Sequence, residues 1–319
     1  MEVVQRKLKR AGLRYQIGFG AVLTLAVTLL SVGSHSAPLK ANGMVALRKH
    51  IPAQIRRKRN QSESESYNWS GYAVTGANGS VTDVKASWVV PSVNNTCSSV
   101  PNGYAAFWTG IDGWNSNTVE QIGTDSDCVN LEGTKTGTPT YYAWFEFYPQ
   151  DAYLIGNYNS RTGACESDCV APLDVISAEV KFTSSGSSGP RRRSSQVFTV
   201  IIADETKGWS FTTSSAVPGA QESSAEWIAE APYGCNTASG YCDLSNFGIA
   251  DYGVEFAPVS NTVTASATIG GVTNALGSFA NVEQAIMVNY PSGSSVMAQP
   301  APLQDNGTSF PDDWMSAGP

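Results

Sequence analysis

From Tyr67 onward, short runs rich in Val, Thr, Tyr, Phe and Trp alternate apolar with polar positions. Clusters of Gly, Asn, Ser and Pro separate them. Such runs are strand signals. They predict strands at 68–74, 81–90, 104–111, 119–123, 140–148, 175–183, 196–204, 208–213, 225–230, 253–258, 262–269 and 284–289. No long stretch carries helical periodicity. Many short strands with turn signals between them predict an all-β sandwich or barrel. Residues 184–195, which contain Arg191, Arg192 and Arg193, read as an exposed hairpin tip. The tail after Pro291 is Pro/Ser-rich and reads as a surface wrap.

Composition narrows this further. The 319 residues are 41% hydrophobic, enough for a real core in one large domain or two small ones. Charged residues make up 15%, below the ~25% of average soluble proteins, which excludes a charge-rich disordered chain or a long coiled coil. No internal repeat and no second compositional domain are visible.

Charge is unevenly distributed. Residues 1–61 hold 12 of the 20 Lys+Arg and one acid, Glu2; residues 62–319 hold 8 basic against 26 acidic residues, a formal −18. That balance argues against nucleic acid as a partner. Arg6, Lys7, Lys9, Arg10 and Arg14 precede an apolar run at about 17–32, and Ser34 and Ser36 follow just before Ala37. This is the layout of a secretory signal; the run is shorter than the ~20 residues of a membrane span and is broken by glycines. The expected organisation is a signal at 1–36, a basic pro-segment at 37–62 and one domain at 63–319. The protein would be secreted, would meet a membrane only through its signal, and would be a monomer. The basic strip would be held on the acidic body by Coulomb attraction and loosened by acid.

Both histidines, His35 and His50, precede residue 62. Without them no Ser-His-Asp triad, Cys-His dyad or His-ligated zinc is possible. Cys97, Cys128, Cys165, Cys169, Cys235 and Cys242, an even count behind a secretory signal, read as three disulfides. The 15 possible connectivities leave the pairing open, with neighbours along the chain as the simplest choice. Asn68, Asn78, Asn94 and Asn306 begin Asn-x-Ser/Thr sequons.

Acid–base chemistry then falls to carboxylates. In 141–149, Tyr142, Trp144, Glu146 and Tyr148 share one face of a strand, and Phe145 and Phe147 share the other, which predicts the core side. In 225–230, Glu226, Ile228 and Glu230 alternate with Trp227 and Ala229. A glutamate among aromatics has its pKa raised by desolvation and suits a general acid or base. An ordinary exposed strand face has the same pattern. Asp112-Gly113 is a turn signal, and Gln121 follows on a strand able to pair with 107–111. Asp125 and Asp127 could hold Ca²⁺ but are expected to be solvated; no metal or organic cofactor is required.

In order along the chain stand Asn68-Trp69-Ser70-Gly71-Tyr72, Trp88-Val89-Val90-Pro91, the 108–113 turn, Glu120-Gln121-Ile122-Gly123, the 142–149 strand and 225–230. Together these resemble the eqolisins, the glutamic peptidases of scytalidoglutamic-peptidase type, over residues 67 to about 258. The resemblance implies two large bent antiparallel sheets packed as a lectin-like jelly-roll sandwich. It implies an acid endopeptidase whose catalytic glutamine is Gln121 and catalytic glutamate Glu230. Trp108, Asp112, Trp144 and Glu146 match positions that line the cleft or support the pair. Cys235 and Cys242 match a small disulfide loop beyond the last motif. The family's disulfide from just after the aspartate turn has no counterpart, because Trp114, Asn115 and Ser116 stand there.

Two other classes fit the bare pattern. A secreted β-sandwich glycosidase would use Glu146 with Glu230, or Glu226 with Glu230, and would have no use for Gln121. A carbohydrate-binding sandwich would stack sugars on Trp108, Trp114 and Trp144. A pepsin-like enzyme needs two Asp-Thr-Gly-type loops, which are missing.

Overall fold

The structure is a computed structural model that describes residues 48–129, 137–159, 164–186 and 195–318. The main strands in chain order are β1 (Ile55–Lys58), β2 (Glu63–Ser66), β3 (Trp69–Thr75), β4 (Val81–Val89) and β5 (Ala106–Ile111). They continue with β6 (Val119–Val129), β7 (Thr138–Tyr148), β8 (Val175–Gly186), β9 (Ser195–Asp204) and β10 (Trp209–Pro218). The last are β11 (Ser224–Glu230), β12 (Ile249–Tyr252), β13 (Val282–Val288), β14 (Val296–Pro300) and β15 (Phe310–Trp314). Helix is confined, among the described residues, to two three-residue 3-10 turns.

One layer runs β7-β6-β5-β11-β3-β13-β2-β1, antiparallel except where β2 lies parallel to β13. The other runs β10-β9-β8-β4-β12-β15-β14, and β14 also pairs with β13, so the ladder continues from one layer into the other. This is the all-β sandwich expected. Period-two alternation builds its core. Phe107, Ile111, Ile122, Phe145, Phe147 and Trp227 of the first layer meet Val84, Trp88, Ile176, Val180, Phe198 and Val200 of the second. Buried polar tips fasten the layers: Trp88 Nε1 donates to Thr124 Oγ1 (2.9 Å), Trp227 Nε1 to the Lys85 carbonyl (2.8 Å), and the Tyr252 hydroxyl to the Ile228 carbonyl (2.6 Å).

Three expectations need correction. Residues 253–258 are a turn, opened by Gly253 at φ 101°, and the strand lies just upstream as β12. The tail does not wrap the surface: β14 and β15 bury Met297, Ala298 and Phe310. The basic strip lies on the acidic body, but the charge clamp seen there is not one that mild acid loosens. β1 pairs with β2, Arg56 and Arg57 both bond the Glu65 carboxylate, and Lys58 reaches Glu283 at 2.6 Å. Those partners hold Glu65 below the usual carboxylate range, so mild acid leaves this clamp in place. The bridges are Cys97–Cys128, Cys165–Cys169 and Cys235–Cys242. The Arg191–Arg193 tip and the signal lie outside the described residues.

Candidate active site

The outer face of the first layer carries the site. Its cross-strand rows follow from the register. Gly110, Gln121 and Glu146 lie side by side on β5, β6 and β7. The next row along the strands is Ile228, Trp108, Gly123 and Trp144; the next is Glu230, Ala106, Asp125 and Tyr142. Gly123 therefore sits between two tryptophans. A Cβ there would lie 2.6 Å from that of Trp108 and 2.4 Å from the Phe107 carbonyl, so only glycine leaves room.

Residues 48–54 lie across this face in extended form. Lys49 exchanges backbone hydrogen bonds with Tyr233 (3.0 and 2.9 Å). The His50 ring stacks on Trp144, centroids 3.6 Å apart and planes within 4°. The His50 carbonyl accepts from Gln121 Nε2 at 2.7 Å, and the next backbone nitrogen, Ile51 N, donates to Glu230 Oε1 at 3.2 Å. One peptide unit is thus held by Gln121 at its oxygen and by Glu230 at its nitrogen. Beyond it, Trp69 Nε1 and Asn68 Nδ2 both donate to the Ile51 carbonyl (3.1 Å each), and Ala53 N donates to the Gly113 carbonyl (3.0 Å).

Supporting bonds set these side chains. Glu146 Oε2 accepts from the other side of Gln121 Nε2 (3.1 Å) and from His50 N (3.1 Å). Both neighbours of Gln121 Nε2 are acceptors, which fixes the amide orientation. Trp108 Nε1 donates to Glu230 Oε2 at 2.9 Å. Gln121, Glu146 and Glu230 are fully buried beneath the segment. Burial, then the charge of Glu146, push the Glu230 carboxyl well up; burial does the same to Glu146. Burial drops the His50 imidazole to about 3, so its Nδ1, 3.7 Å from Glu230 Oε2, belongs to a neutral ring and not to an ion pair.

A family model described as the peptidase A4 family matches residues 67–289. The chain belongs to that family and is a peptidase. Similar solved structures are a scytalido-glutamic peptidase with a peptide-based transition state analog and SCP-B, an eqolisin in complex with the tripeptide Ala-Ile-His. Each is 18% identical and covers 78% of this chain and 98% of its own, with TM-scores of 0.53 and 0.52. At that identity they bear on the fold alone. No curated protein matches the chain significantly.

In this eqolisin, Trp108, Gln121, Trp144, Glu146 and Glu230 converge on the His50–Ile51 unit, and Asp112 does not. Asp112, at φ 69°, turns its carboxylate onto the next loop. Oδ2 accepts from Gln221 N (2.6 Å) and Glu222 N (2.9 Å), and Oδ1 accepts from Ser223 N and Oγ (2.9 Å each). These bonds tie the aspartate turn to the stretch before β11. Gly113 follows at φ 107° with Trp69 2.8 Å from where its Cβ would be, so the turn needs glycine.

Asp125 and Asp127 are not solvated loop residues but buried side chains on β6. The Tyr142 hydroxyl lies 2.7 Å from Asp125 Oδ2 and 2.9 Å from Asp127 Oδ2, and Trp144 Nε1 donates to Asp125 Oδ1 (2.6 Å). One hydroxyl proton cannot serve both carboxyls, so one of the two acids is protonated. Burial pushes both up, Asp127 to about 7. Their signal was present in the alternation, since Gln121, Gly123, Asp125 and Asp127 share one face. Asn68, a sequon residue, is fully buried and bonded to residues 51–54, which leaves no room for a glycan.

Proposed function

We propose that this peptidase is a secreted acid endopeptidase in which Glu230 moves the protons and Gln121 stabilises the oxyanion. The observation that carries the reading is the peptide unit held between them, carbonyl on Gln121 and amide nitrogen on Glu230. The ionised fraction of Glu230 takes a proton from water as the water oxygen bonds to the scissile carbonyl carbon. The Gln121 amide donates to the oxygen as it becomes negative; such a donor is worth ~10²–10³ in rate. Glu230 then returns the proton to the leaving nitrogen, to which its Oε1 is already hydrogen-bonded. Glu146 positions the Gln121 amide, Trp108 positions Glu230, and Trp144 offers a flat surface to the residue before the cut. Asp112 braces the turn. No metal or organic cofactor is needed.

Gln121 does not titrate, so the oxyanion donor persists in acid. A body of formal charge −18 also loses self-repulsion as its carboxylates protonate. Residues 37–62 serve as a pro-segment behind a signal at 1–36. A peptide in the cleft and membership of a peptidase family leave no observation in favour of a glycosidase or a lectin. The test is digestion of a denatured protein across acid to neutral pH with pepstatin present. Wild type should digest it in acid, and folded Glu230→Gln and Gln121→Ala should lose that activity. Activity that survives either change places the chemistry elsewhere.

A further inference from the structure

The strip that covers the site is held along its backbone, and the peptide bond between His50 and Ile51 lies between Gln121 and Glu230. On the amino side, Lys49 completes a two-way backbone bridge with Tyr233, and its ammonium lies 3.3 Å from Asp151. On the carboxyl side, Trp69 and Asn68 grip the Ile51 carbonyl, Asn68 also grips the Pro52 carbonyl (3.2 Å), and Gln54 N donates to Asn68 Oδ1 (2.8 Å). The His50–Ile51 bond has the Gln121 amide at its oxygen and the Glu230 carboxyl at its nitrogen. Of the flanking units, Lys49–His50 has its oxygen on the Tyr233 backbone nitrogen and its nitrogen on Glu146, the carboxyl that orients Gln121, and Ile51–Pro52 has its oxygen on Trp69 and Asn68 and no N–H to donate.

We propose that His50–Ile51 is the chain's own first substrate, cut in cis to begin activation. The inference rests on the Gln121–Glu230 reading of the site and adds to it a bond, a direction and a product. Water oxygen bonds to the His50 carbonyl carbon and gives a proton to Glu230. The carbonyl oxygen collapses from the Gln121 amide, the C–N bond breaks, and Glu230 passes the proton to the Ile51 nitrogen. The products are a peptide ending in the His50 carboxyl and an enzyme beginning Ile51-Pro52-Ala53. The product of this first cut still carries the rest of the pro-segment, β1 included, because Arg56, Arg57 and Lys58 stay paired with Glu65 and Glu283. The described residues of the released side, 48–50, have one backbone bridge at Lys49 and no strand ladder; side-chain contacts add the partly exposed Lys49–Asp151 pair, the Arg48 contacts at Tyr104, the His50 stack on Trp144 and the His50 backbone bonds to Glu146 and Gln121. It is therefore the half that can leave and open the cleft. The direction also defines a substrate class: peptides with a flat ring before the cut, lying on Trp144.

The experiment follows the full precursor after a shift from neutral to acid buffer, by intact mass and N-terminal sequencing, over a roughly twenty-fold range of protein concentration. An unrelated denatured protein serves as a second substrate in parallel. The expected result is a new N-terminus at Ile51, a first-order rate independent of concentration, and conversion at least ~10²-fold slower in both Glu230→Gln and Gln121→Ala. A rate proportional to concentration overturns cleavage in cis. Conversion at that bond in both variants at the wild-type rate assigns the cut to another enzyme and overturns the inference. A precursor that digests the second substrate while His50–Ile51 stays intact overturns the inference and leaves the peptidase chemistry standing. A precursor inert toward both overturns both.

Discussion

Asp312 offers a quantitative test of how this fold is suited to acid. It sits on β15, fully buried, with Ser70 Oγ donating to Oδ1 at 2.7 Å. Burial pushes its carboxyl up to about 8, against the opposing bond from Ser70. In the unfolded chain it would titrate near ~3.9. The folded state therefore binds the proton more tightly. Stability from this group is complete below about pH 4 and is lost as pH rises toward 8, at about 1.4 kcal/mol per pH unit. Between about pH 4 and pH 7 the loss is about 4 kcal/mol. Asp312→Asn keeps the shape and an acceptor for Ser70 but cannot ionise. Urea unfolding of both forms, followed by tryptophan fluorescence in a Glu230→Gln background to stop self-digestion, gives the difference at each pH. The two should be similar near pH 4, and the variant should gain about 4 kcal/mol on wild type by pH 7. Other buried acids cancel in that difference. A gap that does not change with pH would refute the assignment of a neutral, buried Asp312.

Other outcomes follow from the same reasoning. Asp112→Ala leaves three backbone N–H groups of residues 221–223 without their acceptor and should cost at least about 3 kcal/mol. That lowers Tm by roughly 6–12 °C in calorimetry, while the fraction still folded keeps activity within a few-fold. Tyr142→Phe removes the hydroxyl between Asp125 and Asp127, a bond that favours their ionised forms. Its cost, about 1–3 kcal/mol, should be larger in melts near neutral pH than in acid.

How much of this was legible varies with the range of the interactions. The alternation around Trp144 separated core Phe145 and Phe147 from the cleft face, because a strand's two faces are written locally. The same alternation carried Gln121 on to Asp125 and Asp127, but their burial depends on Tyr142 of the neighbouring strand. β1 and β15 were not legible: an Ile-Arg-Arg-Lys run and one with Pro311 inside it lack strand patterning, and long-range pairing makes them strands. Residues 37–62 were readable as a basic strip by charge. That His50 lies on Trp144, 94 positions away, is a tertiary fact that no local pattern encodes.

The central claim is that Gln121 and Glu230 act on one peptide bond, and steady-state kinetics of Gln121→Ala on a short peptide test it most directly. An oxyanion donor acts in the transition state, so kcat should fall by ~10²–10³ with KM within a few-fold and the pH profile unmoved. A raised KM with kcat intact would make Gln121 a binding residue only and contradict the account.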